Sequence, residues 1–398
     1  MLQFGVYLHN IIKYFRCMKK LVLFLFVTLM LVACSEKSLK IEIANGTSID
    51  KECEIVSVSW NDLTQSLTLS EEQSIIVLSE VGMQIPYQVL YKGHDSPQEI
   101  IFQASLNSGE KKIYTIKNGK PEAFQQMTHG RAVPERKDDF AWENDRIAFR
   151  MYGPALADEN PSNGVDIWLK RTDALIVDKF YKDDLENDIS YHVDHGLGLD
   201  CYKVAHTLGA GGIAPYIDDL LFVGGNYTTA KLLDSGVLRT SFELTYDSVP
   251  AGSDKLIKEK IIISLDAGSQ LNKAVVSYGG DFDEMQVAGG IWLHTEIGNI
   301  TESKEEGYIA YGENAVSDAG VPSGRNYIGV IFPNSVINIK QQDEHLLAIT
   351  NYKKGDELVY YFGAGWSEWG FDSDQTWFDY IKNYAINLKQ SLTITLLN

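Results

Sequence analysis

Two stretches of this chain hold more ionisable side chains than strand formation requires. The first, HGRAVPERKDDFAWENDRIAFRMYGP, runs from His129 to Pro154. Read as extended chain, its WENDRIAFRMY part places Asn144, Arg146, Arg150 and Tyr152 on one face, because side chains alternate along a strand. Two guanidinia beside an amide and a phenol make a seat for a carboxylate or sulfate, since the guanidinium fork binds planar oxyanions bidentately. His129 and Arg131, earlier in the stretch, extend that seat. The competing use of the same arginines is pairing with Glu135, Asp138, Asp139 or Glu143 on a solvated sheet face.

The second stretch, YHVDHGLGLDCYKVAHTLGAGG, brings His192, His195 and His206 together with Tyr191, Asp194 and Asp200. A histidine beside a neutralised carboxylate suits proton abstraction, and a tyrosine suits return of a proton to a leaving oxygen. His192 and His195 are therefore the candidate bases, with Tyr152 and Tyr191 the candidate acids. Two histidines and a carboxylate also admit zinc, and an oxygen-rich cage admits calcium. In a strand His195 opposes His192, so such a metal site needs a turn between them. The glycines of TLGAGGIAP form no phosphate loop, for no lysine and hydroxyl follow them and no βαβ unit surrounds them. Trp366 and Trp369, in YYFGAGWSEWGF, offer faces for sugar stacking or for packing against a neighbouring helix.

The elements that must position these groups are strands. From Leu39 to Phe124, short alternating runs separated by NG, DS and NSGE turns predict a small β-sandwich, an accessory domain over 35–124. Residues 125–398 are also strand-dominated and predict a large antiparallel two-sheet sandwich of the galactose-mutarotase-like kind, with SLTITLLN as its closing strand. The fold class is all-β with one C-terminal helix, Asp374–Leu388, whose Trp377, Tyr380, Ile381, Tyr384 and Leu388 share a face behind an N-cap at Ser373 or Asp374.

Residues 1–34 read as an export signal. Met18-Lys19-Lys20 precedes an apolar run too short to span a bilayer, and Leu31-Val32-Ala33-Cys34 matches a lipobox that predicts cleavage before Cys34 and lipidation of its thiol. The expected location is the bacterial cell envelope, lipid-anchored at the outer membrane and facing the periplasm. Removing residues 1–33 takes away Lys13, Arg16, Lys19 and Lys20 and no acidic residue, which moves the formal net charge from −19 to −23. That balance excludes nucleic acid as a partner and makes the local arginines the seat any acidic ligand must find. Cys53 and Cys201 fall in different domains and are read as two buried free thiols.

The two opening stretches and the closing YYFGAGWSEWG, in that order and spacing, resemble the bacterial and fungal family catalogued as domain of unknown function 4861. The resemblance covers Phe124 to the C-terminus and implies a setting in polysaccharide degradation where uronic acids abound. The residues and the resemblance together lead to β-elimination on an acidic, uronic-acid-containing oligosaccharide, by a lyase or a dehydratase, with Arg146, Arg150 and Asn144 neutralising the carboxylate. A hydrolase using two carboxylates among Glu135, Asp138, Glu143 and Asp194, and a non-catalytic glycan-binding lipoprotein, are the alternatives.

Overall fold

Alternating apolar residues zip into antiparallel sheets along almost the whole chain. The computed structural model describes residues 37–67, 75–158, 162–294, 298–334 and 336–397, so the export signal and Cys34 lie outside the described residues. Strands Ser38–Ala44, Lys111–Asn118 and Ile75–Leu78 form one small sheet, and Lys51–Ser59, Glu99–Leu106 and Tyr87–Leu90 face it. Ile41, Val56, Ile75, Phe102 and Ile116 fill the space between them. The last strand, Thr393–Leu397, does not close the large sandwich as its position in the chain suggests. It pairs with Ser38–Ala44 instead, Ile394 beside Ile43 and Leu396 beside Ile41.

The larger part is built on an eight-stranded sheet, faced by two five-stranded sheets. One apolar core joins all three, with Trp142 and Phe149 from one small sheet, Val287 and Ala348 from the other, and Phe242, Ile328 and Phe362 from the large one. The outer face of the large sheet is covered by the helix Asp374–Leu388, where Trp377, Ile381 and Ala385 pack on Tyr308, Ala310 and Tyr327. Ser373 is its N-cap, in a reciprocal capping box with Thr376. Lys51, 2% exposed, donates to the Asn387 and Gln390 carbonyls where this helix ends, a cation at the negative end of the helix dipole.

Among the described residues two α-helices besides the expected one are present. Trp60–Ser66 is capped by Ser59, and Val177–Asn187 buries Val177, Phe180 and Tyr181. The second escapes a periodicity search because its buried apolar residues are confined to the first turn and a half, and the remainder is charged apart from the exposed Leu185 and Asn187. Both described cysteines are free, but Cys53 is exposed and not buried. It sits with φ 52° where the strand register shifts between Lys51 and Glu54, and such a bulge turns a side chain away from the pleat.

Gln88 ties the small sandwich to the large part: its amide oxygen accepts from the Leu238 and Arg239 N–H groups, and its nitrogen donates to the Arg239 carbonyl. Asp234 answers from the other side by accepting from Tyr91 and Lys92.

One buried carboxyl breaks the apolar pattern. Glu259, 6% exposed, lies on the inner face of the strand Leu256–Asp266 between Ile257 and Ile261, beside a cavity of ≈ 40 Å³. Burial pushes its carboxyl up to about 8. The folded chain thus holds this proton at pH values where the unfolded chain has lost it. Its stabilisation is complete below the unfolded value and is lost as pH rises toward the folded one. Glu259→Gln should match the wild type in urea unfolding near pH 4.5 and exceed it at pH 7, by about 3 kcal/mol.

Candidate functional site

The WENDRIAFRMY stretch is not one strand but a hairpin. Strands Asp139–Asn144 and Ala148–Met151 pair with Glu143 opposite Ala148 and Ala141 opposite Arg150. The turn is made by Asn144, whose side-chain oxygen accepts from the Arg146 and Ile147 N–H groups while its nitrogen donates to the Asp266 and Ser269 carbonyls. Asn144 is therefore a turn-former with no hydrogen bond to spare, and the arginines do not form a row. Arg146 is exposed at the turn, and Arg150 is 3% exposed.

Arg150 is enclosed. Its Nε donates to Asp166 Oδ2 at 2.9 Å, Nη1 to the Tyr191 hydroxyl at 2.9 Å, and Nη2 to Asp200 Oδ2 at 2.9 Å and Tyr152 at 3.3 Å. Asp139 Oδ2 stands 3.9 Å from Nη1. The rings of Tyr152, Trp168 and Tyr191 lie 4.7, 5.5 and 5.7 Å from the guanidinium carbon. Every donor is used inside the protein, which leaves Arg150 no seat for an external carboxylate. Arg150, with Arg136 beside Asp139 and Tyr191, faces three buried carboxylates, and burial holds all three above the ordinary carboxylate range. Burial, reinforced by the neighbouring Asp200, pushes Asp166 up to about 7, and burial pushes Asp200 up to about 6 against the pull of Arg150. Burial also raises the phenols of Tyr152 and Tyr191, which keep their protons but are sealed at 9% and 2% exposure.

His192 stands at the edge of this group. Its Nδ1 lies 3.2 Å from the Asp200 carbonyl and 3.4 Å from Asp200 Oδ2, and its ring packs on Tyr191. Its Nε2 makes no hydrogen bond to the described residues, and the side chain is 31% exposed. His195 is exposed, with Nε2 3.1 Å from the Ser190 carbonyl. His206 is exposed on the loop before the strand Ala210–Ile217. Among the described residues no group of three or more His, Cys, Asp or Glu has metal-holding geometry, so the zinc or calcium set suggested by H-x-D-H is not assembled here.

His129 and Arg131 serve another contact. His129 Nε2 is 3.3 Å from Asp178, and Arg131 pairs with Asp178 at 2.6 Å and Glu135 at 2.8 Å, which ties their strand to the helix Val177–Asn187. Glu143 anchors the same helix, accepting from the Ile176 and Val177 N–H groups and from Lys170. An anion at a helix N-terminus answers its dipole. Trp366 is 2% exposed and donates to the Ser323 carbonyl, so its face is no sugar platform, while Trp369 is half-buried.

What gathers around Trp366 and Asn326 was only partly visible in the sequence. Arg171 lies over Trp366 at 4.7 Å and pairs with Asp194 at 2.6 Å, and Arg146 lies over Trp369 at 5.9 Å. Cys201, next to Asp200, points its thiol at Asn326 Oδ1, 3.6 Å away. Asn326 stands in register between Trp366 and Glu313 on neighbouring strands, and Glu313 pairs with His294. Arg171, Asn326, Glu313 and His294 lie in runs whose pattern is that of ordinary strands and turns, and nothing local marks them. The solvent-exposed cations are thus Arg146, paired with Asp145 at 3.4 Å, and Arg171, paired with Asp194.

The family described as Domain of unknown function (DUF4861) matches residues 43–394. An uncharacterized protein of Formosa agariphila is 29% identical over 377 residues, covering 89% of this chain and 93% of that protein. Among solved structures, the crystal structure of an alpha-mannosidase from Enterococcus faecalis superposes with a TM-score of 0.53 at 9% identity, over 91% of this chain and 46% of that one. The chain spans about half the length of that structure, and the likeness is one of fold.

Removing the guanidinium at the centre should separate a structural arginine from an accessible one. Arg150→Met leaves three carboxylates facing each other and should lower unfolding free energy by about 3–5 kcal/mol. Arg146→Ala should stay within about 0.5 kcal/mol of wild type. Parallel urea titrations at pH 7 measure both.

Proposed function

The chain belongs to the family described as Domain of unknown function (DUF4861), and we propose that it acts by β-elimination on uronic-acid-containing oligosaccharides, with His192 as the base. The observation that carries this reading is the His192–Asp200 pair. The Asp200 backbone carbonyl engages Nδ1, with the buried Asp200 carboxylate 3.4 Å from the same nitrogen, and Nε2 is left unengaged, the arrangement a general base requires. Arg171 and Arg146 supply the cations that neutralise a uronate carboxylate, which makes the C5 proton acidic. They take the part that Arg150, closed in by its own carboxylates, cannot play. Trp369 offers the half-buried aromatic face beside them.

A carbohydrate partner is also supported by the likeness in fold to an alpha-mannosidase. In this reading the small sandwich is an accessory unit, the large part carries the reaction, and Cys34 tethers the chain to the outer membrane within the periplasm. Whether the leaving oxygen belongs to a sugar or to water separates lyase from dehydratase, and both need the same base.

The test is an incubation of the mature chain with a panel of uronate oligosaccharides, following ultraviolet absorbance and product mass. A conjugated unsaturated product is expected, and His192→Ala should reduce its rate by about 10²–10⁴-fold while the thermal midpoint moves little. Reducing sugar without new absorbance would replace elimination by hydrolysis, and retention of a glycan without any product would make the chain a binding protein.

A further inference from the structure

An elimination needs a proton for the leaving oxygen as well as a base, and the two tyrosines the sequence offers for it are sealed around Arg150. A second histidine–carboxylate pair lies on the other side of the Cys201–Asn326 contact. His294 follows the strand Glu284–Trp292, and Glu313, 2% exposed, sits on Tyr308–Val316. Nδ1 of His294 is 2.7 Å from Glu313 Oε1, and Nε2 is 2.5 Å from the Lys203 carbonyl oxygen. The Tyr202 and Trp292 rings flank the imidazole at 4.5 and 4.3 Å.

The ring is held from both nitrogens, between the Glu313 carboxyl and the Lys203 carbonyl, and a carbonyl only accepts, so Nε2 is the nitrogen that donates. The other charged groups nearby do not compete for it: Lys203 points its ammonium toward Asp318 at 3.6 Å, and the Tyr202 hydroxyl donates to the Trp292 carbonyl. Glu313 keeps its second oxygen buried and without a hydrogen bond, so its charge is balanced chiefly by His294.

The placement matches the chemistry. Lys203 lies three residues beyond Asp200, the carboxylate that orients His192. Asn326, the cross-strand neighbour of Glu313, accepts from the thiol of Cys201. The two histidines therefore flank one short segment, residues 200–203, each backed by its own carboxylate.

We propose that His294, held by Glu313, is the acid of the elimination, an assignment that rests on the reading of His192 as the base. For this role Nε2 exchanges its bond to the Lys203 carbonyl for one to the leaving oxygen. His192 Nε2 removes the C5 proton, the C5–H electron pair forms the C4–C5 double bond, the C4–O bond breaks, and the departing oxygen receives the Nε2 proton of His294. His192 ends protonated and His294 neutral, and one proton exchanged with solvent at each restores the pair.

The experiment compares two uronates that differ only in the C4 leaving group, a sugar alkoxide and fluoride, because fluoride departs without a proton. His294→Gln should lose about 10²–10⁴-fold on the glycoside and keep most of the wild-type rate on the fluoride. His192→Ala should lose both. Glu313→Gln, which preserves shape, should repeat the His294→Gln pattern more weakly and guards against a histidine variant that fails to fold. Equal loss on both substrates for His294→Gln and Glu313→Gln, or loss on neither, overturns the assignment of the acid. A wild-type chain inactive on both substrates overturns the elimination reading itself, and the assignment with it.

Discussion

A single buried guanidinium organises the region where chemistry is proposed. Arg150 reaches from one strand to Asp166 on the next, to Asp200 on the third, and to Tyr191 in the loop that leads to His192. Desolvating these charges is costly, and their mutual attraction recovers that cost only when geometry and hydrogen bonds are complete. Here each guanidinium nitrogen has a partner, so the loop carrying His192 is fixed by the same atoms that close the sheet. Burial raises Asp166 and Asp200 above the ordinary carboxylate range, which couples His192 electrostatically to the core beneath it.

The large sheet makes the complementary contribution. Register places Glu313, Asn326 and Trp366 side by side across three strands, on the face that looks toward the core. Segments from the facing sheets then cover this polar row, bringing Cys201 to Asn326 and His294 to Glu313. Neither half would present two oriented histidines alone. Burial of the helix Asp374–Leu388 on the outer face, with Lys51 at its end and the last strand beyond it, joins the same sheet to the small sandwich.

Strand period, turn residues and one amphipathic face were enough to read the all-β class, the runs that become strands, and the terminal helix with its Ser373 cap. These are local properties, decided by alternation and by hydrogen bonds within a few residues. The same logic misread WENDRIAFRMY, since Asn144 can end a strand through its side chain and the alternation cannot register that break. It also gave Trp366 a binding face that packing removes, and it singled out His192 but not His294.

What the sequence determined by itself is therefore the class of fold, the family and the residue types available for acid–base chemistry. Only the tertiary structure decided which arginine is sealed and which is exposed, which histidine has a free nitrogen, and that Asp200 and Glu313, more than a hundred positions apart, each stand beside a histidine. The physical reason is that charge and accessibility are set by long-range strand register and burial, and no window of neighbouring residues contains them.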